Sequence, residues 1–125
     1  MTLRVIISCP GGRPGRFCSG ADELVVVDAG GGGCGCASSL IPLASTPYRR
    51  SVVVEAVYNV SVADEVVVTG ECSWAVPVTL AVLALLYGAR LYIDGKVCGG
   101  VGRLLLSKSR PLTELLHPGE ASNQR

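Results

Sequence analysis

Two glycine-bearing segments carry the chemistry that this sequence offers. The first is Gly11-Gly12-Arg13-Pro14-Gly15-Arg16, with two arginines and no acid. The second is Thr69-Gly70-Glu71-Cys72-Ser73-Trp74, set between a valine run and a long uncharged stretch. Glycine lets backbone N–H groups come close to a bound group, and arginine meets phosphate with paired donors. A helix starting after Trp74 would add unpaired amides and the positive end of its dipole. Together these residues suit an anion, a phosphate or nucleotide above all. Purely structural turns are the competing reading of both.

Other reactive residues are fewer. Glu71 could orient a ligand hydroxyl, or act as a base if partly desolvated; the plainer reading is an acid that favours a helix start. Trp74, the sole tryptophan, could stack on a base, but sealing the core is the favoured role. His117 is the sole histidine and sits beside the polar tail, so a nucleophile–histidine pair has one poorly placed base. Gly30-Gly31-Gly32-Gly33-Cys34-Gly35-Cys36 matches neither a P-loop nor a dinucleotide fingerprint and reads as a flexible loop. Cys34 and Cys36 with Asp28 form a conceivable metal site, although no second cysteine pair stands at zinc-ribbon spacing. Cys9, Cys72 and Cys98 read as buried free thiols, with disulfides of a thermophile's cell as the alternative. No catalytic set is visible, so a non-enzymatic role is favoured and no cofactor is expected.

Positioning these residues requires a strand–turn–helix–strand unit. Residues 66–68, all valine, read as a strand covered on both faces, as in a parallel sheet. Residues 75–87 read as a buried helix, with Ser73 as a cap, Pro77 in the first turn and Gly88 as the stop. The run is too short to span a membrane, since Glu71 and Arg90 bound it. Residues 91–93 return as a strand. The amide-bearing turn then falls at the carboxyl end of the strands, where such sheets bind ligands.

Around this unit, residues 3–9 and 24–27 read as strands. The segment between them looks too short for a crossover helix, so either a single turn lies at 17–21 or the pair is antiparallel, the latter favoured. Residues 37–44 suggest a short helix limited by Pro42 and ended by Pro47. Residues 51–63 fit strand by propensity and helix by spacing; helix is favoured, as the crossover into the valine strand. Asp94-Gly95 signals a hairpin, with 96–98 turning back and 101–107 as a further strand. Residues 111–116 suggest a short helix, and 118–125 a polar tail. The expected fold is a small Rossmann-like α/β domain over residues 1–117, with a mainly parallel sheet flanked by helices and a C-terminal hairpin.

Composition limits the partners. The 125 residues are 49% hydrophobic and only 17% charged, which leaves apolar surface that a homo-oligomer would cover. The formal charge of +1 gives no argument for duplex nucleic acid or an acidic partner. Residues 1–7 form one strand-like run without a cleavage site, so no signal peptide and a cytoplasmic protein are expected. Valine, glycine and arginine usage suits a thermophilic source.

The central stretch, VVVTGECSWAVPVTLAVLALLYGARLYID, resembles the region after the fourth strand of CARF domains, the Rossmann-like sensors of cyclic oligoadenylates in CRISPR systems. Thr69, Gly70, Gly88, Ala89, Tyr92 and Asp94 match that family's pattern, and RVIISCPGG matches its first strand loosely. Glu71 and Cys72 replace its second glycine and its threonine, and neither Ser73 nor Trp74 supplies its basic residue. The resemblance implies a dimer holding a nucleotide or cyclic oligonucleotide across its two-fold axis. Three functions are thus in play: a nucleotide- or phosphate-binding, sensor-like domain; a non-catalytic assembly subunit; and a small thiol- or metal-dependent enzyme.

Overall fold

A computed structural model describes residues 1–44 and 49–116. Pro47, His117 and the polar tail lie outside the described residues. The strands are β1 (Leu3–Ser8), β2 (Glu23–Asp28), β3 (Ser39–Ile41), β4 (Glu65–Cys72) and β5 (Arg90–Val97). The helices are α1 (Arg50–Val62), α2 (Ala75–Leu86) and α3 (Gly99–Lys108), with 3-10 turns at Pro14–Phe17 and Leu112–Glu114. All strand pairings are parallel, in the order β3-β2-β1-β4-β5. The expected Rossmann-like α/β architecture is present, with β1 at the centre and the valine strand β4 beside it.

The two faces of the sheet are covered differently. Val5, Ile7, Val25, Val27, Val66 and Val68 pack with Ala56 and Val60 of α1, Leu80, Ala81 and Ala84 of α2, and Leu105 of α3. Ile6, Leu24, Val26, Val67 and Tyr92 on the other face are covered by Phe17 and Leu115. Because successive side chains alternate, each continuous apolar strand supplies both layers. Each fully buried Val, Ile or Leu contributes about 1.5–3 kcal/mol of transfer free energy.

The Val66 strand, the crossover helix α1 and the helix α2 form as the sequence predicts, but α2 is buried along one stripe only, Pro77, Leu80, Ala81 and Ala84, with Thr79 and Leu86 exposed. In α1, Ala56 and Val60 are four residues apart and fully buried, whereas Val54 and Tyr58 are exposed. That period selects helix over the strand propensity of valine. Helix α2 ends at Tyr87 and Gly88, the latter at φ +84°. Ser73 does not cap it: Trp74 occupies the cap position, and no side chain there accepts an amide.

Five expectations give way. First, β1 and β2 are parallel. The 3-10 turn at Pro14–Phe17 replaces the missing helix, and the Arg4 guanidinium donates to the carbonyls of Phe17 and Ser19 at 2.6 and 2.7 Å. A side chain thus satisfies the groups that a longer helix would have satisfied itself. Second, residues 39–41 pair with Val25–Val27 as an edge strand instead of forming a helix; Pro42, lacking N–H, is compatible with an edge. Third, no chain reversal occurs at Asp94-Gly95. Strand β5 continues to Val97, parallel to β4, with Gly95 opposite Gly70. The glycine that signals a hairpin serves a close backbone approach instead, because a Cβ on Gly95 would collide with Gly70. Fourth, the turn expected at Thr69 is strand as far as Cys72. Fifth, residues 99–108 are helical: Gly102 sits directly on the Val97 backbone and Leu105 reaches the core. Residues 111–116 hold only the short 3-10 turn.

Candidate functional site

Strand order locates the site. After β1 the chain leaves toward the face covered by Phe17, and after β4 it leaves toward the face covered by α2. Two neighbouring parallel strands that exit to opposite faces open a crevice between them, the topological switch point of such sheets. The two glycine-bearing segments flank it, so the fold brings together segments more than 50 residues apart in sequence.

Hydrogen bonds bind the segments closely. The Arg13 amide donates to the Thr69 hydroxyl oxygen at 3.0 Å, and that hydroxyl donates to Asp94 at 3.2 Å. Arg16 closes the chain through an ion pair with Asp94 at 3.1 Å, while stacking over Phe17. The Glu71 amide donates to the Pro10 carbonyl, the Cys9 amide to the Thr69 carbonyl, and the Gly12 amide to the Cys9 carbonyl. Gly12 and Gly70 are required here: a Cβ on either would strike the opposing backbone. Beneath them a disulfide joins Cys9 to Cys72.

This arrangement changes the roles expected of several residues. Of the residues singled out, Gly12 and Arg13 meet Thr69 and Gly70 directly, and Arg16 reaches Thr69 only through Asp94. Glu71 and Cys72 meet Pro10 and Cys9 instead, and among the described residues no hydrogen bond joins Gly11 to the second segment. Ser73 and Trp74 follow at the start of α2. The amides of Gly12, Arg13 and Glu71 are spent on protein partners, and Arg16 is spent on Asp94. Glu71 is exposed, so it lacks the desolvation that a base would need. Trp74 is half-buried against the core, as favoured from sequence. Cys9 and Cys72 are not free thiols, and Cys98 is free but exposed. Cys34 and Cys36 gather with Cys18 rather than with Asp28, whose carboxylate accepts the Gly30 and Gly32 amides.

What remains for a ligand is mainly cationic, with the exposed Glu71 as the acid beside it. Among the described residues the Arg13, Lys96 and Arg103 side chains make no hydrogen bond or ion pair. Lys96 and Arg103, with Gly95 and Gly102, line a cleft of about 120 Å³ where β5 meets α3. The first amides of α2 are left without intrahelical acceptors by helix geometry. Sequence reasoning takes Asp94 as a hairpin residue and a family match and places neither it nor Lys96 at the site, because only the parallel β4–β5 register, Thr69 to Asp94 and Glu71 to Lys96, brings them to this edge. No family model, curated protein or solved structure matches this chain. Among the described residues no helix is long and apolar enough to cross a membrane.

Proposed function

We propose that this domain binds a phosphorylated ligand of the nucleotide class over the carboxyl ends of β1 and β4. The supporting observation is the switch point itself, with the Arg13 loop hydrogen-bonded to Thr69 across it. The free Arg13 guanidinium and the uncapped first turn of α2 supply donors and positive potential on the two sides. The tight weave of Gly12, Thr69, Gly70 and Asp94 holds these donors in place. It does not itself contact the phosphate, because its amides already have acceptors.

Thermal unfolding with a panel of nucleoside mono-, di- and triphosphates and cyclic oligoadenylates tests this reading. A binding nucleotide at a hundred times its dissociation constant adds about 2.7 kcal/mol. For a chain of this size that raises the midpoint by on the order of 10 °C. Arg13→Ala should abolish the shift and leave the unliganded midpoint unchanged. No shift with any compound overturns the proposal.

A second reading, an assembly role through self-association, is favoured by a separate observation. A groove of about 350 Å³ between α2 and α3 is lined by Val82, Leu85, Leu86, Leu104, Leu105 and Lys108. Leu86 is 75% exposed and Leu104 57%. The groove lies toward the carboxyl end of α2, away from the proposed ligand. A second copy of the chain is the occupant that so apolar a composition suggests. Light scattering at tens of micromolar should give a dimer that Leu86→Glu converts to monomer; a monomeric wild type overturns this reading.

A further inference from the structure

Three cysteines from two separate loops converge on the face opposite α1–α3. Cys18 follows the 3-10 turn at Pro14–Phe17, while Cys34 and Cys36 lie on the glycine-rich connection between β2 and β3. Their sulfurs all lie within 4.8 Å of one another. Cys18 and Cys36 are joined as a disulfide, with Cα atoms 6.0 Å apart. The free Cys34 Sγ stands 3.0 Å from the Cys36 Sγ and 4.0 Å from the Cys18 Sγ. Cys18 and Cys34 pack beside the Ile6, Phe17 and Val26 cluster, whereas Cys36 is open to solvent.

A disulfide alone would need only two cysteines. The third sulfur matches a different geometry. Around tetrahedral zinc, with Zn–S bonds of about 2.3 Å, thiolates lie about 3.8 Å apart. The distances from Cys34 to its two neighbours bracket that edge. Gly33 and Gly35 flank Cys34, so little side-chain bulk stands between this part of the loop and a metal.

We propose that Cys18, Cys34 and Cys36 form a three-thiolate zinc site in the reduced chain, and that the Cys18–Cys36 disulfide is its metal-free form. A phosphine and water convert the disulfide to two thiols, and the phosphine leaves as its oxide. Zinc then forms three Zn–S bonds, and the three thiol protons pass to solvent. The fourth position stays open to water or another ligand, as in zinc sites that react rather than merely staple. The site is independent of the nucleotide reading, since it shares no residue with the carboxyl edge of β1 and β4.

The test uses the full chain carrying Cys98→Ser, which removes the free thiol outside the cluster. After phosphine reduction under anaerobic conditions it is titrated with Co²⁺, then with Zn²⁺. The expected result is a thiolate-to-cobalt charge-transfer band that saturates at single-site stoichiometry, releases protons and is displaced by zinc. The unreduced chain and the reduced Cys34→Ser variant should show no such band. Cys34→Ser keeps the Cys18–Cys36 bond as purified, so its thermal midpoint reports whether it is folded before reduction. Reduced chain without the band, or a folded Cys34→Ser that binds cobalt as well as its parent after reduction, overturns the proposal.

Discussion

Arg4 and Glu65 face each other across β1 and β4, guanidinium to carboxylate at 3.3 Å, both nearly sealed from water. Arg4 also holds the carbonyls of Phe17 and Ser19, so one side chain ties two strands to the connection that crosses from β1 to β2. Arg4→Met leaves a buried carboxylate with Arg90 beside it, at 3.5 Å, and two carbonyls without this donor. Breaking such a pair costs about 3–5 kcal/mol. Urea unfolding should show a loss of that order; a change below about 1 kcal/mol would mean that water replaces the guanidinium with ease. Adding Glu65→Leu should recover only part of the loss, because the carbonyls still lack the Arg4 donor.

Gly70 and Gly95 should be the least replaceable glycines of the sheet. They lie opposite each other at φ +91° and +149°, and a Cβ on either would enter backbone. Gly88, at φ +84°, is the control, since nothing lies within 4 Å of its would-be Cβ. Gly88→Ala should cost about 1–2 kcal/mol from conformation alone. Gly70→Ala and Gly95→Ala should each cost more, because steric displacement adds to that strain. Equal midpoints for the three variants in urea would contradict the close β4–β5 approach.

These glycines also show what could be read from the sequence. The strands at Val66 and Leu91 and the helix between them are legible because apolar runs, Pro77 and Gly88 act locally. The Asp94-Gly95 dipeptide misleads because hairpin turns and close strand contacts both call for glycine, and only the partner strand decides between them. The parallel β1–β2 pair is hidden for a similar reason. Its short crossover works only because Arg4 reaches it from within the sheet. At the site, the two glycine segments are recognisable by type, but their amides point to each other, and that depends on a register no local pattern states. The Cys9–Cys72 and Cys18–Cys36 pairings join residues 63 and 18 positions apart, so spacing alone does not select them.

Tyr92 should govern the alkaline limit of stability. Burial pushes its phenol above the usual value of 10.0; the hydrogen bond to Glu114 lifts it further, and one with Arg90 opposes. With the folded value raised, its contribution is whole below about pH 10 and is lost as pH climbs through the folded value. Tyr92→Phe should therefore flatten the decline of the unfolding midpoint above pH 10 while lowering the midpoint at neutral pH. Glu114 runs the other way. The hydrogen bond from Arg110 holds its carboxyl below the usual 4.5, so its contribution is present above that pH and fades as pH falls. An alkaline limb of equal slope in wild type and Tyr92→Phe would remove Tyr92 from this role.

The two disulfides should differ in both worth and accessibility. A cross-link removes conformations from the unfolded chain, more so for a longer loop. Cys9–Cys72 closes a separation of 63 residues and Cys18–Cys36 one of 18. Loop-closure entropy then gives about 4 kcal/mol for the first and about 3 kcal/mol for the second. Cys9→Ala/Cys72→Ala should accordingly destabilise more than Cys18→Ala/Cys36→Ala in urea under oxidising conditions. Burial sets the order of reduction independently: Cys9 and Cys72 have almost no exposed surface, whereas Cys36 is open to solvent. A thiol reductant with alkylation and mass mapping should label Cys34 and Cys98 before any reduction, then Cys18 and Cys36. Cys9 and Cys72 should be labelled only at the rate of unfolding, because attack needs access to a sulfur. Labelling of Cys72 ahead of Cys36 in the folded protein would show that the β1–β4 seam opens locally, and the rigid edge on which the proposed ligand site depends would fall with it.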